Sequence, residues 1–439
     1  MRPSRQTKVL AGVAGAVLLL SGCAAQSTGN GSSTADLSKV DYSGTISMVN
    51  KFSDPSVSKY FPELAKEFEK AHPGVTVNVQ QESDQGYKDK IKVLASSNSI
   101  PDIYFSWPGS YAKQFVDAGL ALDLTSAIGK GTAWNESLVP SAVGAGEYNG
   151  KNYGVPIDLD AKFMMYNKKI FADNGLTVPT TFEELLSTCK TLKAKGITPV
   201  NFGNKNGWPA LHYVTQLNAY SVPADTLAKD YSSDKGSFTD PGYVKALEQF
   251  KELIDQCTTT GTTGNGIDHT DAQVAFGSGK SAMMYLESLE IGLLKDTPLD
   301  KDGFGLFQLP AASDARGDTG SLVGAPDLFM VSPKSKNPAL AVAFLKFIVS
   351  KEGAAKMPDL MSGYPSPVKD SLDTATTQPQ IVEAMDKLGK ASSLAIWLDT
   401  VTAPQVAQAY LAGGEALVGG TGTPESVMKS VQQAAAGSK

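Results

Sequence analysis

TISMV, at residues 45–49, begins a run of alternating strand and helix patterns. It favours a β-strand, and YFPELAKEF at 60–68 follows with apolar residues four apart among charged ones, which is typical of an amphipathic helix. Alternating valines at 75–79, apolar residues at helical spacing over 87–95 and IYF at 103–105 repeat the pattern. Strand, helix, strand, helix, strand predicts a parallel sheet covered by helices.

The same alternation returns further along the chain. FMMY at 163–166 predicts a strand, and TFEE at 181–184 has the spacing of a capping box that opens a helix. Apolar residues recur at helical spacing over 243–254 and again over 339–350. The sequence therefore predicts at least two α/β units.

Length and composition limit the class of protein. A chain of 439 residues is long enough for two or three compact units. With 41% hydrophobic and 19% charged residues it can bury a sizeable core, which excludes a mainly disordered, collagen-like or coiled-coil chain. The 39 basic and 45 acidic residues give a net charge of -6, and hence no electrostatic reason to bind nucleic acid. Three histidines without paired spacing argue against a metal site, and no cofactor is expected.

The N-terminus has the pattern of an export signal. Basic residues precede an apolar run at 9–20, which is shorter than the ~20 residues that cross a bilayer as a helix. Residues 1–22 are therefore predicted to be a signal peptide. LSGC at 20–23 resembles a bacterial lipobox, which predicts acylation of Cys23, although an ordinary signal that contains a cysteine is the alternative. Residues 23–38 are predicted to be a lipidated N-terminus and flexible linker that holds the protein on the extracellular face of the cell membrane.

Two features of the sequence could indicate enzyme chemistry. GSGKS at 277–281 looks like a phosphate-binding loop, but valine stands at 274 where the motif needs glycine. A helical pattern also precedes it and a strand pattern follows it, which is the reverse of a phosphate loop. Carboxylates are numerous, so the sequence leaves open a pair at the separation that glycosidases use.

Cys189 and Cys257 leave a second alternative open. Outside the cytoplasm the two thiols could form a disulfide. Both lie in helical patterns, where buried free thiols are common, and this favours the unpaired state.

Seven groups of short motifs occur in a fixed order: FEK at 68–70 with PGV at 73–75, IPDI at 100–103, AGL at 118–120, YGVP at 153–156, YNK at 166–168, FGSGKSAM at 276–283 and SKNP at 335–338. With these motifs behind a lipobox, the chain resembles the extracellular solute-binding lipoproteins of ABC importers. The resemblance is to the carbohydrate-binding family that includes maltose-binding protein, and it covers about residues 44–431.

The resemblance implies an α/β, two-lobe periplasmic-binding-protein-like fold of type II, in which each lobe is a β-sheet flanked by helices and a hinge joins the lobes. It places residues 39–157 and 302–345 in lobe 1, and residues 158–301 and 346–439 in lobe 2. It implies a monomer that captures a sugar, expected to be an oligosaccharide, in the interlobe cleft and delivers it to an ABC permease. No catalysis is expected.

Flat aromatic rings cover the C–H faces of a sugar, and carboxylates, amides and hydroxyls bind its rim. The resemblance carries the family's ligand loops onto Lys51, Ser53, Glu82, Ser83, Ser106, Trp107, Asp158, Asp160, Trp208, Tyr285, Glu287, Asp327, Trp397 and Asp399. Some of these have a structural alternative: Trp208 and Trp397 could be core aromatics, and Glu82 could be merely solvated.

The sequence departs from the family pattern in one place. Many relatives carry glycine and an aromatic residue after the Ala-Met strand, whereas Glu287, Ser288 and Leu289 stand here. One expected stacking surface is therefore in doubt. Two other functions stay open, namely the same scaffold binding a polyamine or a peptide, and a surface carbohydrate-active enzyme.

Overall fold

Alternating strands and helices build the chain, as the sequence predicts. The computed structural model describes residues 36–231, 236–361, 363–375 and 377–437, and these described residues form one compact unit. The predicted signal peptide, Cys23 and most of the predicted linker lie outside the described residues. None of the helices in the described part of the chain combines the length and apolarity that crossing a bilayer requires.

The described residues form thirteen strands: β1 (Gly44–Asn50), β2 (Val75–Gln81), β3 (Ile103–Ser106), β4 (Glu147–Tyr148), β5 (Lys151–Asn152), β6 (Val155–Pro156), β7 (Lys162–Asn167), β8 (Thr198–Asn201), β9 (Ser281–Glu287), β10 (Phe304–Phe307), β11 (Leu322–Val323), β12 (Leu328–Val331) and β13 (Leu394–Ala395).

The same residues form twenty α-helices: α1 (Tyr60–Ala71), α2 (Asp84–Ser96), α3 (Ser110–Asp117), α4 (Thr125–Ile128), α5 (Ala133–Glu136), α6 (Pro140–Gly144), α7 (Lys168–Asp173), α8 (Phe182–Ala194), α9 (Trp208–Ser221), α10 (Ala224–Asp230), α11 (Pro241–Cys257), α12 (His269–Gly277), α13 (Pro298–Asp302), α14 (Pro338–Ile348), α15 (Lys351–Ala354), α16 (Met357–Leu360), α17 (Pro379–Lys390), α18 (Leu398–Val401), α19 (Pro404–Val418) and α20 (Pro424–Gly437). Two 3₁₀ helices span Gly261–Gly266 and Ser288–Leu294.

The first sheet has the strand order β2-β1-β3-β12-β6. β1 runs parallel to both β2 and β3, which confirms the parallel pairing predicted from residues 45–105. The other two strands come from later in the chain, and β12 runs antiparallel to both β3 and β6. The sheet is therefore mixed rather than purely parallel.

The second sheet has the order β10-β7-β9-β8. β7 is antiparallel to both of its neighbours, β9 and β10, and only β8 joins in parallel. The second α/β unit is thus present, but with mostly antiparallel pairing. α12 precedes β9 at the GSGKS segment, which confirms that this segment has the wrong order for a phosphate loop.

The first sheet packs against one hydrophobic core, the first core, and the second sheet packs against two, the larger of which we call the second core. We call the half of the molecule around the first sheet the first lobe and the half around the second sheet the second lobe. The first core includes residues 46–157 and 328–368, while β10 and β11 pack with the second lobe. The expected segment 302–345 is therefore wrong at both ends, because β10 pairs with β7 and because Ile348 and Val368 are buried in the first core. The two-lobe architecture itself agrees with the expectation.

Two passages between the lobes lie side by side. Residues 157–161 lead from β6 to β7, residues 324–327 lead from β11 to β12, and Ala161 and Gly324 form an antiparallel bridge. A Cβ atom at Gly324 would lie 2.2 Å from the carbonyl oxygen of Asp160, so only glycine permits this approach. The passages bring Asp160 and Asp327 to the region between the lobes.

A disulfide joins Cys189 of α8 to Cys257 of α11, with Cα atoms 5.0 Å apart. The preference for free thiols is wrong. The two helices pack together in the second lobe, so that two buried helical cysteines face each other. Helical periodicity shows on which face of its helix a residue lies, but it does not show which helix packs against that face. The sequence therefore left the pairing of the two cysteines open.

Candidate functional site

The loops that follow β1 and β3 carry the predicted ligand residues Lys51 and Trp107 of the first lobe. Lys51 comes directly after β1 and Trp107 directly after β3, at the carboxyl ends of parallel strands, where α/β sheets present ligand contacts. The Lys51 ammonium lies 4.9 Å from the ring centroid of Phe105 and 5.2 Å from that of Trp107. Lys88 of α2 lies 4.7 Å from the same Trp107 ring, so two cations contact one indole.

A buried ionic group joins this loop to the interlobe passages. Lys51 Nζ is 3.0 Å from Asp327 Oδ2, and the Asp327 backbone N–H donates to Asp158 Oδ1 at 2.7 Å. Burial, and then repulsion from Asp327, raises the pKa of Asp158 well above its ordinary value. Burial alone would lower the pKa of Lys51, but attraction to Asp327 and Asp84 outweighs it and raises that pKa. Lys51 is therefore a cation that pairs with Asp327, a residue of the passage 324–327.

Asp160 anchors a second group on the second-lobe side. Its carboxylate accepts a hydrogen bond from Ser288 Oγ at 2.7 Å, and burial followed by repulsion from Glu287 raises its pKa well above the ordinary value. Lys162, 1% exposed, lies 3.4 Å from Glu287 Oε1 and 2.9 Å from His212 Nδ1. Because an ammonium can only donate, His212 Nδ1 accepts this hydrogen bond.

Aromatic rings cluster beside Lys162. Trp208 opens α9 and is partly exposed, with its ring centroid 4.7 Å from the Lys162 ammonium. One turn later in α9, His212 stacks on Trp397 with centroids 4.2 Å apart. His269 contacts the other side of this group, 4.6 Å from Trp208, and its Nε2 is 2.7 Å from Glu290 Oε1.

Ten of the fourteen predicted ligand residues lie in these groups or next to them: Lys51, Trp107, Asp158, Asp160, Trp208, Tyr285, Glu287, Asp327, Trp397 and Asp399. Tyr285 is buried 5.7 Å from the Lys162 ammonium. Asp399 follows Trp397 by two residues, has a buried Oδ1 atom without a hydrogen-bond partner, and has a pKa raised by burial.

The other four predicted residues make local contacts. Ser53 is exposed, and Ser106 is buried and donates to the carbonyl of Trp107. Glu82 accepts from Lys90 at 2.7 Å, and Ser83 is the N-cap of α2. These contacts explain Ser106, Glu82 and Ser83 by local structure, whereas the Ser53 side chain is simply exposed.

Sequence reasoning missed Lys88, Lys162, His212 and Tyr364. Tyr364 contacts the Phe52 ring edge-on, and burial followed by the charges of Asp327 and Asp158 raises its pKa well above the ordinary value. His212 had a readable signal, because it lies four residues after Trp208 and so on the same face of α9. Lys162 precedes four apolar or aromatic residues of its strand, which is a second signal.

The raised pKa of Asp160 predicts a pH effect on the stability of the ligand-free protein. The folded state holds the proton more tightly than the unfolded state, in which the pKa is about 3.9. This contribution to stability is present below that pH and is lost as pH rises towards the folded pKa. We expect Asp160→Asn, which keeps an acceptor for Ser288, to melt at an increasingly higher temperature than the wild type as pH rises from about 4 to 7.

Thermal melting across this pH range is the measurement. Asp89→Asn, at an exposed position on α2, is the matched control. Parallel wild-type and Asp160→Asn profiles would contradict the prediction.

The chain is similar to known bacterial solute-binding proteins. The family model for bacterial extracellular solute-binding proteins matches residues 54–355. The multiple sugar-binding protein of Streptococcus mutans serotype c is 27% identical over 345 residues, covering 76% of this chain and 78% of the relative. The diacetylchitobiose-binding protein DasA of Streptomyces coelicolor is 26% identical, covering 77% and 76%.

A solved structure shows the same architecture. It comes from a study of xylan utilisation by the thermophilic bacterium Caldanaerobius polysaccharolyticus, and it superposes with a TM-score of 0.78 at 25% sequence identity. The superposition covers 89% of this chain and 99% of that structure. The matched family model spans more than half of the chain and reaches across both lobes, so this protein belongs to the bacterial extracellular solute-binding protein family.

Proposed function

We propose that this protein is the substrate-binding component of an ABC importer, which captures an oligosaccharide between its lobes and delivers it to a membrane permease. The observation that carries the proposal is the partly exposed Trp208 ring within a cluster of buried polar groups around Lys162. An indole face matches the C–H face of a pyranose, and the polar groups match its hydroxyls.

The names of relatives support a sugar ligand. The Streptococcus mutans relative is a multiple sugar-binding protein, and the Streptomyces relative binds diacetylchitobiose. Neither name transfers a particular sugar, linkage or chain length to this protein.

Charge pairing argues against a polyamine. An ammonium ligand needs carboxylates that are free to surround it, whereas Asp327 already pairs with Lys51, and Glu287 lies beside Lys162. The cations of the cleft thus balance part of its acidic charge. A neutral polyhydroxylated ligand fits this balance best.

The experiment is a ligand screen on purified protein. Chito-, malto- and xylo-oligosaccharides, spermidine and short peptides are compared by thermal shift, and each hit is measured by titration calorimetry. We expect stabilisation by at least one oligosaccharide, and chromatography of the incubated sugar should show no cleavage. Stabilisation by spermidine or peptides alone would contradict a sugar ligand, and cleavage products would indicate an enzyme.

Binding between the lobes provides the mechanism. A ligand that contacts both lobes at once favours the closed arrangement, since its affinity for that arrangement is greater. The loops at Trp107 and Trp397 would contribute one aromatic from each lobe. We propose that the protein acts as a monomer without catalysis, and that its permease distinguishes the closed form.

We also propose that acylated Cys23 anchors the protein to the membrane. Multiple acyl chains bind a membrane stably, whereas one chain binds only marginally. Cys23→Ala is therefore expected to release the protein or to trap its precursor, as membrane fractionation would show. A Cys23→Ala protein that is processed and still sediments with membranes would contradict this.

A further inference from the structure

A contact between the lobes lies beside the candidate site, where α3 meets α18. α3 begins three residues after Trp107 and packs into the first core through Ala112 and Phe115. α18 follows Trp397 directly, and Leu398 is part of the second core. α3, which follows Trp107 of the first lobe, therefore contacts α18, which follows Trp397 of the second lobe.

The contact includes one hydrogen bond across the lobes. Ser110, at the start of α3 and 9% exposed, donates from Oγ to the carbonyl oxygen of Val401 at 2.7 Å. Val401 is the last residue of α18, and carbonyl groups at a helix end have no partner within the helix. The first lobe supplies that partner.

Backbone packs against backbone at the neighbouring residue. Gly109 has φ +78° and ψ −146°, a region that essentially only glycine occupies. A Cβ atom there would lie 2.6 Å from Val401 Cα and 3.0 Å from the carbonyl oxygen of Thr400. Any larger residue would push α18, and with it the second lobe, away from α3.

We propose that Gly109 and Ser110 are positioning residues for ligand capture, which set how closely the lobes approach and hold the lobes through Val401 in the arrangement of this structure. The inference rests on the proposed function, because closure matters only in a protein that binds its ligand between the lobes. The fraction of closed molecules scales the apparent affinity for every ligand alike, so these residues act without contacting the ligand.

The test uses the full chain without ligand, so it does not depend on finding the sugar. In Gly109→Ala, hydrogen exchange of the α18 amides, followed by mass spectrometry, is expected to be about tenfold faster, because the contact that covers them is lost. Small-angle scattering should show a larger radius of gyration. Ser110→Ala should change both in the same direction but less.

Two matched controls separate this role from local effects. Gly119 also has positive φ, +66°, but a Cβ atom there has nothing within 4 Å, so Gly119→Ala adds strain without the clash. Ser96 donates to the carbonyl of Val93 within one helix, so Ser96→Ala removes a hydroxyl without touching the other lobe. Neither control should change α18 exchange.

Exchange of α18 that is the same in Gly109→Ala and Gly119→Ala would overturn the proposal. So would wild-type α18 amides that already exchange as fast as an exposed segment. If Gly109→Ala does not fold, Ser110→Ala decides between the same two results. A ligand screen without any hit would reject the proposed function. It would not change the hydrogen exchange of α18 or the radius of gyration, because both are measured without ligand.

Discussion

Trp208→Ala is expected to weaken oligosaccharide binding by about a hundredfold, which corresponds to about 2.7 kcal/mol of binding free energy. Loss of an aromatic side chain at the centre of a contact typically costs this much. The ring is partly exposed at the first residue of α9, so its removal leaves the core intact. The unfolding midpoint of the ligand-free protein should therefore change little, and calorimetry with the best sugar of the screen measures the affinity.

Trp134 is the matched control for this variant. It is 5% exposed in the first core, so Trp134→Ala should cost about 3–5 kcal/mol of folding stability while affecting affinity little. If Trp208→Ala instead lowers stability by several kcal/mol and spares affinity, Trp208 is a core residue and the binding role is wrong.

Loss of the Cys189–Cys257 disulfide is expected to lower the free energy of unfolding by about 2–4 kcal/mol. The bond joins residues 68 apart in sequence, and a loop of this length strongly limits the freedom of the unfolded chain. Urea unfolding of a Cys189→Ala, Cys257→Ala double variant measures the effect. The change should be confined to the second lobe, which contains both cysteines.

Reduced wild-type protein is the control that retains both side chains. Because Cys189 and Cys257 are fully buried, reduction requires prior unfolding. Reduced protein and the double variant should both unfold at lower urea concentration than the oxidised protein. Identical midpoints for all three forms would contradict a stabilising bond.

Local patterns were sufficient to predict several strands and helices, among them β1, β7, α8 and α11. Thr181 does cap α8, because its hydroxyl accepts from the Glu184 amide three residues on. Strand pairing depends on distant residues, and the sequence could not show that β10 joins β7 rather than the first sheet. The same limit explains the disulfide, since its partners meet only when α8 packs on α11.

The candidate site likewise includes residues that the sequence predicts and residues that only the folded structure shows. The resemblance carried the family's ligand loops onto Asp158 and Asp160, and both are buried between the lobes. Lys162 lies two residues later, but its partners His212 and Glu287 are 50 and 125 positions away. The contacts of the Lys162 ammonium become apparent only when β7, α9 and β9 are brought together by folding. The motif resemblance was thus sufficient to predict the ligand loops, whereas the contacts of Lys162 with His212 and Glu287 are visible only in the folded structure.

The side-by-side passages at 157–161 and 324–327 imply an order of events during capture. When two bodies rotate about a short connection, atoms on the connection move least and those farther out move most. Asp158 and Asp327 lie on the passages, so they are in place before the lobes turn. The contacts that these two acids make on the passages are therefore formed before the lobes turn, and those of the outlying loops at Trp107 and Asp399 only afterwards.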